Sequence, residues 1–326
     1  MLSTIKMNIK PGILLMILLS SFCVWSQQNP QFSQYLQNPV VINPGMTGVE
    51  SYLELTAAYR NQWTGFEGAP RTTTFSFHTP TYLLSSRSSV REGDTHQGIG
   101  ALVYTDDTGP IKRGGFYGSY AYHLKVSNKW LVSVGTFLGA TQFKYDASQA
   151  ILVENPFDLL VQDTSSLNFD ASLGIYLYSD NFFGGITGNH LFENDIPYAV
   201  EDGVLNTSGT FRRNYNLLLG GRIPLSDLWE AVPSVLIKSV SGAPVQWDLS
   251  TKMTYDNKYW GALSYRNRDA MVFMAGVQLA ERFLVSYSYD WTISDFNPGR
   301  SGTHEIILGY RFAFGNQKCA CPQYSM

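Results

Sequence analysis

The 326-residue chain is poor in charge and in cysteine, and each shortage excludes something. Charged residues make up 15% of it, against about a quarter in ordinary soluble proteins. Lys and Arg number 23 against 26 Asp and Glu, a net charge of −3, so there is no basic excess to hold nucleic acid. The three cysteines, Cys23, Cys319 and Cys321, cannot staple a disulfide framework across the chain. After residue 26 no apolar run has the length of a membrane helix. Catalytic groupings are also missing. His78, His96, His123, His190 and His304 are scattered; no phosphate-cradling loop or nucleophile elbow occurs. His304-Glu305 is half of a zinc motif without its second histidine, on a stretch that alternates like a strand. The expectation is a chain with no cofactor, no metal and no catalytic residues. Only a Ser-His-Asp set assembled in space is left open.

What is present points to strands. Aromatics reach 14%, and glycines number 29, a profile of pleated surfaces and tight turns. Residues 1–26 read as a signal peptide: Lys6 and Lys10, then the apolar stretch Ile13 to Leu19, then Val24 and Ser26 before a cut at Gln27. A membrane anchor needs a longer run, and bulky Phe22 argues against a lipoprotein start at Cys23. Cys319-Ala-Cys321 closes the chain; without other ligands it is a tail pair rather than a metal site.

Strict alternation recurs along the rest. Leu53, Leu55, Ala57 and Tyr59 oppose Glu54, Thr56, Ala58 and Arg60. Trp247, Leu249 and Thr251 oppose Asp248, Ser250 and Lys252. Phe283 to Trp291 and Ile306 to Phe314 alternate in the same way. A period of two puts each set on one face of a sheet. A soluble sandwich shares that pattern. Three features favour a transmembrane barrel: aromatics gather at strand ends, ionisable residues occupy mid-strand on the polar face, and short and long connections take turns. The sequence predicts an all-β fold: a transmembrane antiparallel β-barrel of about fourteen strands with an irregular N-terminal segment. Its strands are 53–60, 71–79, 97–104, 115–124, 130–141, 169–178, 182–191, 213–222, 231–238, 245–254, 258–266, 271–279, 282–291 and 303–314. The organisation is a signal peptide at 1–26, an irregular arm at 27–50, a barrel at 51–314 and a short tail at 315–326. Three Asn-Pro pairs break the arm, which is either a periplasmic extension or a plug.

Glu54, Arg60, Arg222, Asp248, Lys252, Asp290, Glu305 and Arg311 are expected to face the lumen. An Arg or Lys turned to lipid at mid-membrane costs about 2–4 kcal/mol. Inside they either pair with one another, or line a channel or contact the arm. Trp63, Phe66 and Pro70 fall in the first long loop, either as girdle and turn residues or as an aromatic contact for a partner. The loop 142–168, with Phe143, Tyr145, Phe157, Leu159 and Leu160, is either a second candidate docking surface or a segment folded over the mouth.

The start of the predicted mature chain resembles a known family. Gln28-Asn-Pro-Gln-Phe-Ser-Gln-Tyr35, Asn38-Pro39 and Asn43-Pro-Gly45 are similar to the opening signature of the PorP/SprF proteins of type IX secretion and gliding motility. Arg60-Asn-Gln-Trp63, Phe66 and Gly68-Ala-Pro70 resemble the next block. Ala171-Ser-Leu-Gly174, Pro233 to Lys238, Ser264-Tyr-Arg266 with Asp269, Tyr287-Ser-Tyr-Asp290 and Thr303-His-Glu305 follow in order. The resemblance implies a non-enzymatic outer-membrane barrel, in contact with lipid and with an exported adhesin-like protein or with secretion and motility components. The residues expected to meet the partner are Phe32, Tyr35, Asn38, Pro39, Asn43, Pro44, Arg60, Asn61, Gln62, Trp63, Phe66 and Pro70. A passive porin is the competing reading.

Overall fold

The computed structural model describes residues 30–85, 93–149, 163–201, 204–294 and 302–312. Residues 1–26, expected to be a signal segment, Phe157, Leu159 and Leu160 of the long loop, Phe314 and the Cys319–Cys321 tail lie outside the described residues.

Alternating stretches become long antiparallel strands. In chain order they are β1 (Leu53–Asn61), β2 (Arg71–Pro80), β3 (His96–Thr108), β4 (Ile111–Lys125), β5 (Leu131–Tyr145), β6 (Thr164–Tyr178) and β7 (Phe182–Asn189). A hairpin follows, β8 (Asp195–Glu201) and β9 (Val204–Thr210), and then β10 (Asn214–Gly221) with its two-residue continuation β11 (Ile223–Pro224). The remainder are β12 (Trp229–Val240), β13 (Gln246–Tyr255), β14 (Tyr259–Arg266), β15 (Ala270–Leu279), β16 (Phe283–Thr292) and β17 (Thr303–Phe312). Each wall strand pairs with its neighbours, β1 pairs with β17, and β10 pairs with β12 across the hairpin insertion. The result is a closed fourteen-strand barrel with no free edge in its ring. Among the described residues there is no α-helix.

Burial is inverted relative to a water-soluble protein. On β13, Trp247 and Leu249 are exposed while Asp248, Ser250 and Lys252 are buried. On β17, Ile306, Leu308 and Phe312 face out while Glu305 and Arg311 face in. The exterior is an apolar band with aromatics at both rims: Trp229, Tyr255, Tyr259 and Phe283 at the end with the short turns, Tyr215, Trp247, Tyr265 and Trp291 at the other. Two short turns have the left-handed pairs that tight hairpins need: Asp256–Asn257 at φ 49° and 50°, and Ala280–Glu281 at 49° and 60°.

Several strand ends differ from the sequence expectation. Residues 105–114 are not a loop: β3 and β4 run on to a turn at Gly109–Pro110. β5 and β6 likewise extend into the segment read as the loop 142–168, and 192–212 contains the β8–β9 hairpin. β3 to β6, at 13 to 15 residues, make one side of the wall taller than the rest. There Asp106, Asp107, Lys112 and Arg113 interrupt the apolar alternation without ending the strands: Asp106 is buried and accepts from Thr72 at 2.7 Å, while Asp107 is exposed.

The inverted pattern carries a direct test. In a background with Cys319→Ser and Cys321→Ser, Leu249→Cys and Leu308→Cys, each replacing a side chain 54% exposed, should react with a lipid-soluble thiol reagent in native membranes. Asp248→Cys and Ser250→Cys should not. The reverse pattern would mean a register shifted by one residue.

Candidate functional site

The N-terminal segment lies inside the barrel. From Pro30 to Glu50 it runs down the lumen, from the end with the long loops to the end with the short turns. Prolines at the first positions of two 3-10 turns, Pro39–Val41 and Pro44–Met46, set its bends. Asn43 caps the second, its Oδ1 accepting from the Gly45 N–H at 2.8 Å while its Nδ2 donates to the Ile175 carbonyl at 3.1 Å. Irregular backbone within a membrane barrel must find its hydrogen bonds in the protein, and this segment does so on both sides.

One side of the lumen is ionic. Arg60 donates to Asp290 at 2.9 Å and to Glu305 at 3.0 Å. Arg266 reaches Asp290 at 3.2 Å, Asp269 at 3.3 Å and Asp248 at 3.5 Å, and Lys238 reaches Asp248 at 3.0 Å. Ser33 sits at the centre. Its hydroxyl donates to Asp290 at 2.7 Å and accepts from Arg60 at 2.6 Å and Arg266 at 3.1 Å. Glu305 also accepts the backbone N–H of Ser33 at 2.9 Å and of Gln34 at 3.1 Å. Arg60 and Glu305 are direct partners across the β1–β17 pair, as are Glu54 and Arg311, which form an ion pair at 3.3 Å. The seam between first and last strand is thus stitched by two cross-strand ion pairs.

The other side is apolar. Leu36, Val40, Ile42, Met46 and Val49 of the plug pack against Leu102, Leu131, Tyr176, Tyr178, Phe183 and Val232. Tyr35 bridges the halves, its hydroxyl 3.0 Å from Ser250 Oγ. Two wall glycines allow the close seating. A side chain on Gly98 would strike the Thr47 carbonyl, and one on Gly174 the Asn43 side chain. At the short-turn end the plug is tied by histidines. His123 Nε2 and His96 Nε2 face the Thr47 and Gly48 carbonyls at 2.9 and 3.0 Å, and their rings stack at 4.3 Å. The Gly48 N–H points to His78 Nδ1 at 3.4 Å.

Beside the plug, toward the long loops, a cavity of about 450 Å³ remains. Phe32, Val41, Leu102, Tyr117, Phe137 and Leu236 give it an apolar lining. Asp170 in the adjoining wall accepts from Tyr117 at 3.2 Å and pairs with His190 at 2.6 Å, tying the β7–β8 connection to β6. No group of three or more potential metal ligands occurs among the described residues.

The residues singled out in the sequence do not form one site. Tyr35, Asn38, Pro39, Asn43 and Pro44 lie within the lumen, with Asn38 Oδ1 accepting from Ser76 at 3.1 Å. Phe32 is part of the cavity lining. Arg60 is buried in the ionic cluster with Asp248, Asp290 and Glu305. Glu54, Arg222, Lys252 and Arg311 are buried nearer the short turns; Arg222 donates to the Ser179 carbonyl at 3.4 Å, and Lys252 lies 5.4 Å from the Trp260 ring centre. Asn61, Gln62, Trp63, Phe66 and Pro70 surround the β1–β2 loop. Phe66 is 48% exposed, and Trp63 adopts a left-handed φ of 45°. Lys238 and Arg266 belong to the ionic cluster but were not among the sequence candidates. Each follows an inward Ser two or four residues before it, Ser234 and Ser264, and that parity was the available signal.

Over residues 24–310 the sequence matches the PorP/SprF family, type IX secretion system membrane proteins. The chain belongs to this family. No curated protein matches it in sequence. Among solved structures, this PorP/SprF barrel is similar to the Ralstonia pickettii toluene transporter TbuX. Identity is 11% and the TM-score 0.52, covering 85% of this chain and 94% of that one. The Pseudomonas putida toluene transporter TodX aligns at 10% identity with a TM-score of 0.48, covering 88% and 95%. The likeness to TbuX shows the outer-membrane barrel fold. The family and these neighbours are secretion components and channels rather than enzymes.

Proposed function

We propose that this outer-membrane barrel supports secretion or surface attachment of a type IX-exported protein, such as a large adhesin, by binding rather than by catalysis. The observation that carries this reading is the lumen filled by the chain's own segment, pinned by ion pairs on one side and packed on the other. A passive porin needs an open path, and this filling opposes one. In this reading residues 1–26 are removed as a signal peptide, 27–50 form the plug, 51–314 the barrel and 315–326 a tail. The partner meets the outer mouth through Asn61, Gln62, Trp63, Phe66 and Pro70, with Phe32 and Arg60 beneath them. Tyr35, Asn38, Pro39, Asn43 and Pro44 support that surface from within by holding the plug.

The test is the double variant Trp63→Ala/Phe66→Ala. Removing two aromatic anchors should weaken capture of the exported partner by about 2 kcal/mol or more, roughly thirtyfold, with barrel levels unchanged. Undiminished capture rules out the loop as the contact. If deleting the whole gene leaves the surface proteome intact but alters small-solute uptake, the channel reading replaces this one. The likeness to the toluene transporter TbuX is what keeps that second reading in view.

A further inference from the structure

We propose that the cavity beside the plug is a binding site for a small uncharged amphipathic molecule, with a compact apolar body and one hydrogen-bonding group. This goes beyond the partner reading and does not depend on it. The volume, about 450 Å³, falls in the range of small-molecule sites, which are mostly apolar with a few placed polar groups. The walls have that composition. Leu102, Tyr117 and Phe137 rise from β3, β4 and β5, and Leu236 closes the far side from β12. Tyr104 and Tyr117 stack at 6.4 Å, and Tyr117 meets Phe137 at 5.9 Å, a set of ring faces suited to a flat apolar body.

Two polar atoms in this lining lack partners. Asn214 is 4% exposed; its Oδ1 accepts from Asn189 at 2.8 Å, but its Nδ2 donates to nothing. Thr74, 2% exposed, has an unpartnered Oγ1 on the same cavity. Buried polar groups are normally hydrogen-bonded, so an amide donor and a hydroxyl left open in an apolar chamber point to an occupant carrying an acceptor. Of the ionisable groups on the lining, Lys238 is bound to Asp248 at 3.0 Å, Asp269 to Arg266 at 3.3 Å and His190 to Asp170 at 2.6 Å, while Arg268 is exposed at the rim, where solvent screens it.

The test uses the full barrel held in amphipol, free of detergent, titrated with fluorophenol and followed by fluorine NMR. Saturable line broadening is expected with the native barrel, and none with fluorobenzoate at the same concentration. Leu236→Trp fills the chamber and should abolish the effect; Leu102→Trp does the same from the opposite wall if the first variant fails to insert. Asn214→Leu keeps the bulk but removes the donor, and should weaken binding about tenfold. Leu249→Trp, on the lipid face, should leave it unchanged. The proposal is overturned by unsaturable broadening, by equal binding of fluorobenzoate, or by unaltered binding in both filled variants once they migrate as closed barrels.

Discussion

Removing residues 30–48 should turn a sealed barrel into a conducting one. Fourteen strands lie between the small barrels whose side chains fill the interior and the sixteen- to eighteen-stranded porins that leave an aqueous channel. A ring of this size is sealed only if something fills it, and here the filling is the segment tied to Glu305, Asp290, His96 and His123. No wall strand is lost in the deletion, because β1 starts at Leu53. In planar bilayers the native protein should show little current, and the deletion variant a steady conductance on the order of tenfold higher or more. Unequal migration of boiled and unboiled samples would establish that the variant is still a closed barrel. A gentler variant makes the same point. Ser33→Asp sets a third carboxylate beside Asp290 and Glu305, and should produce intermittent openings. Equal, low conductance in native and both variants would mean that the segment does not seal the lumen.

The second large effect is expected from the ionic cluster. Arg60→Met keeps much of the side-chain volume but removes the cation that holds Asp290 and Glu305 at 2.9 and 3.0 Å. Both carboxylates are 1% exposed, and one is left with little compensation. Breaking a buried pair from one side costs about 3–5 kcal/mol, whereas removing both partners costs much less. Urea unfolding in lipid vesicles, read by tryptophan fluorescence, should show that loss for Arg60→Met. The loss should be partly recovered in Arg60→Met/Glu305→Gln. A single variant as stable as the native protein would show that the cluster contributes little to holding the seam.

Much of this architecture was readable as a period of two. Wherever one strand face meets lipid and the other meets the plug, the alternation is sharp, as at Leu249 to Lys252 and Ile306 to Arg311. It failed where the two faces stop differing. Toward the long loops both faces of the strands carry polar residues, Asp106 and Asp107 on β3 and Lys112 and Arg113 on β4, so those strands were ended too early. The β8–β9 hairpin, with Pro197 and a register irregularity, also lies off the barrel ring and carries no membrane pattern. Whether the Asn-Pro segment was arm or plug could not be read from its own residues, because the deciding features belong to the wall. Gly98 and Gly174 are the trace it leaves there, glycines where a strand interior has to admit another backbone.

Glu305 serves two structures at once. It closes the first strand onto the last through Arg60, and it holds the plug through the amides of Ser33 and Gln34. The residues it joins are separated by 272 positions from Ser33 and 245 from Arg60, among the most distant contacts the chain can make and therefore among the slowest to form. Completing the ring and locking its contents therefore draw on the same side chain. A chain that has not yet delivered β17 has no anchor for Ser33, and a ring closed around a displaced segment leaves Glu305 short of its two amide donors. Ring closure and plug seating are thereby coupled: the last strand carries the one carboxylate on which both depend.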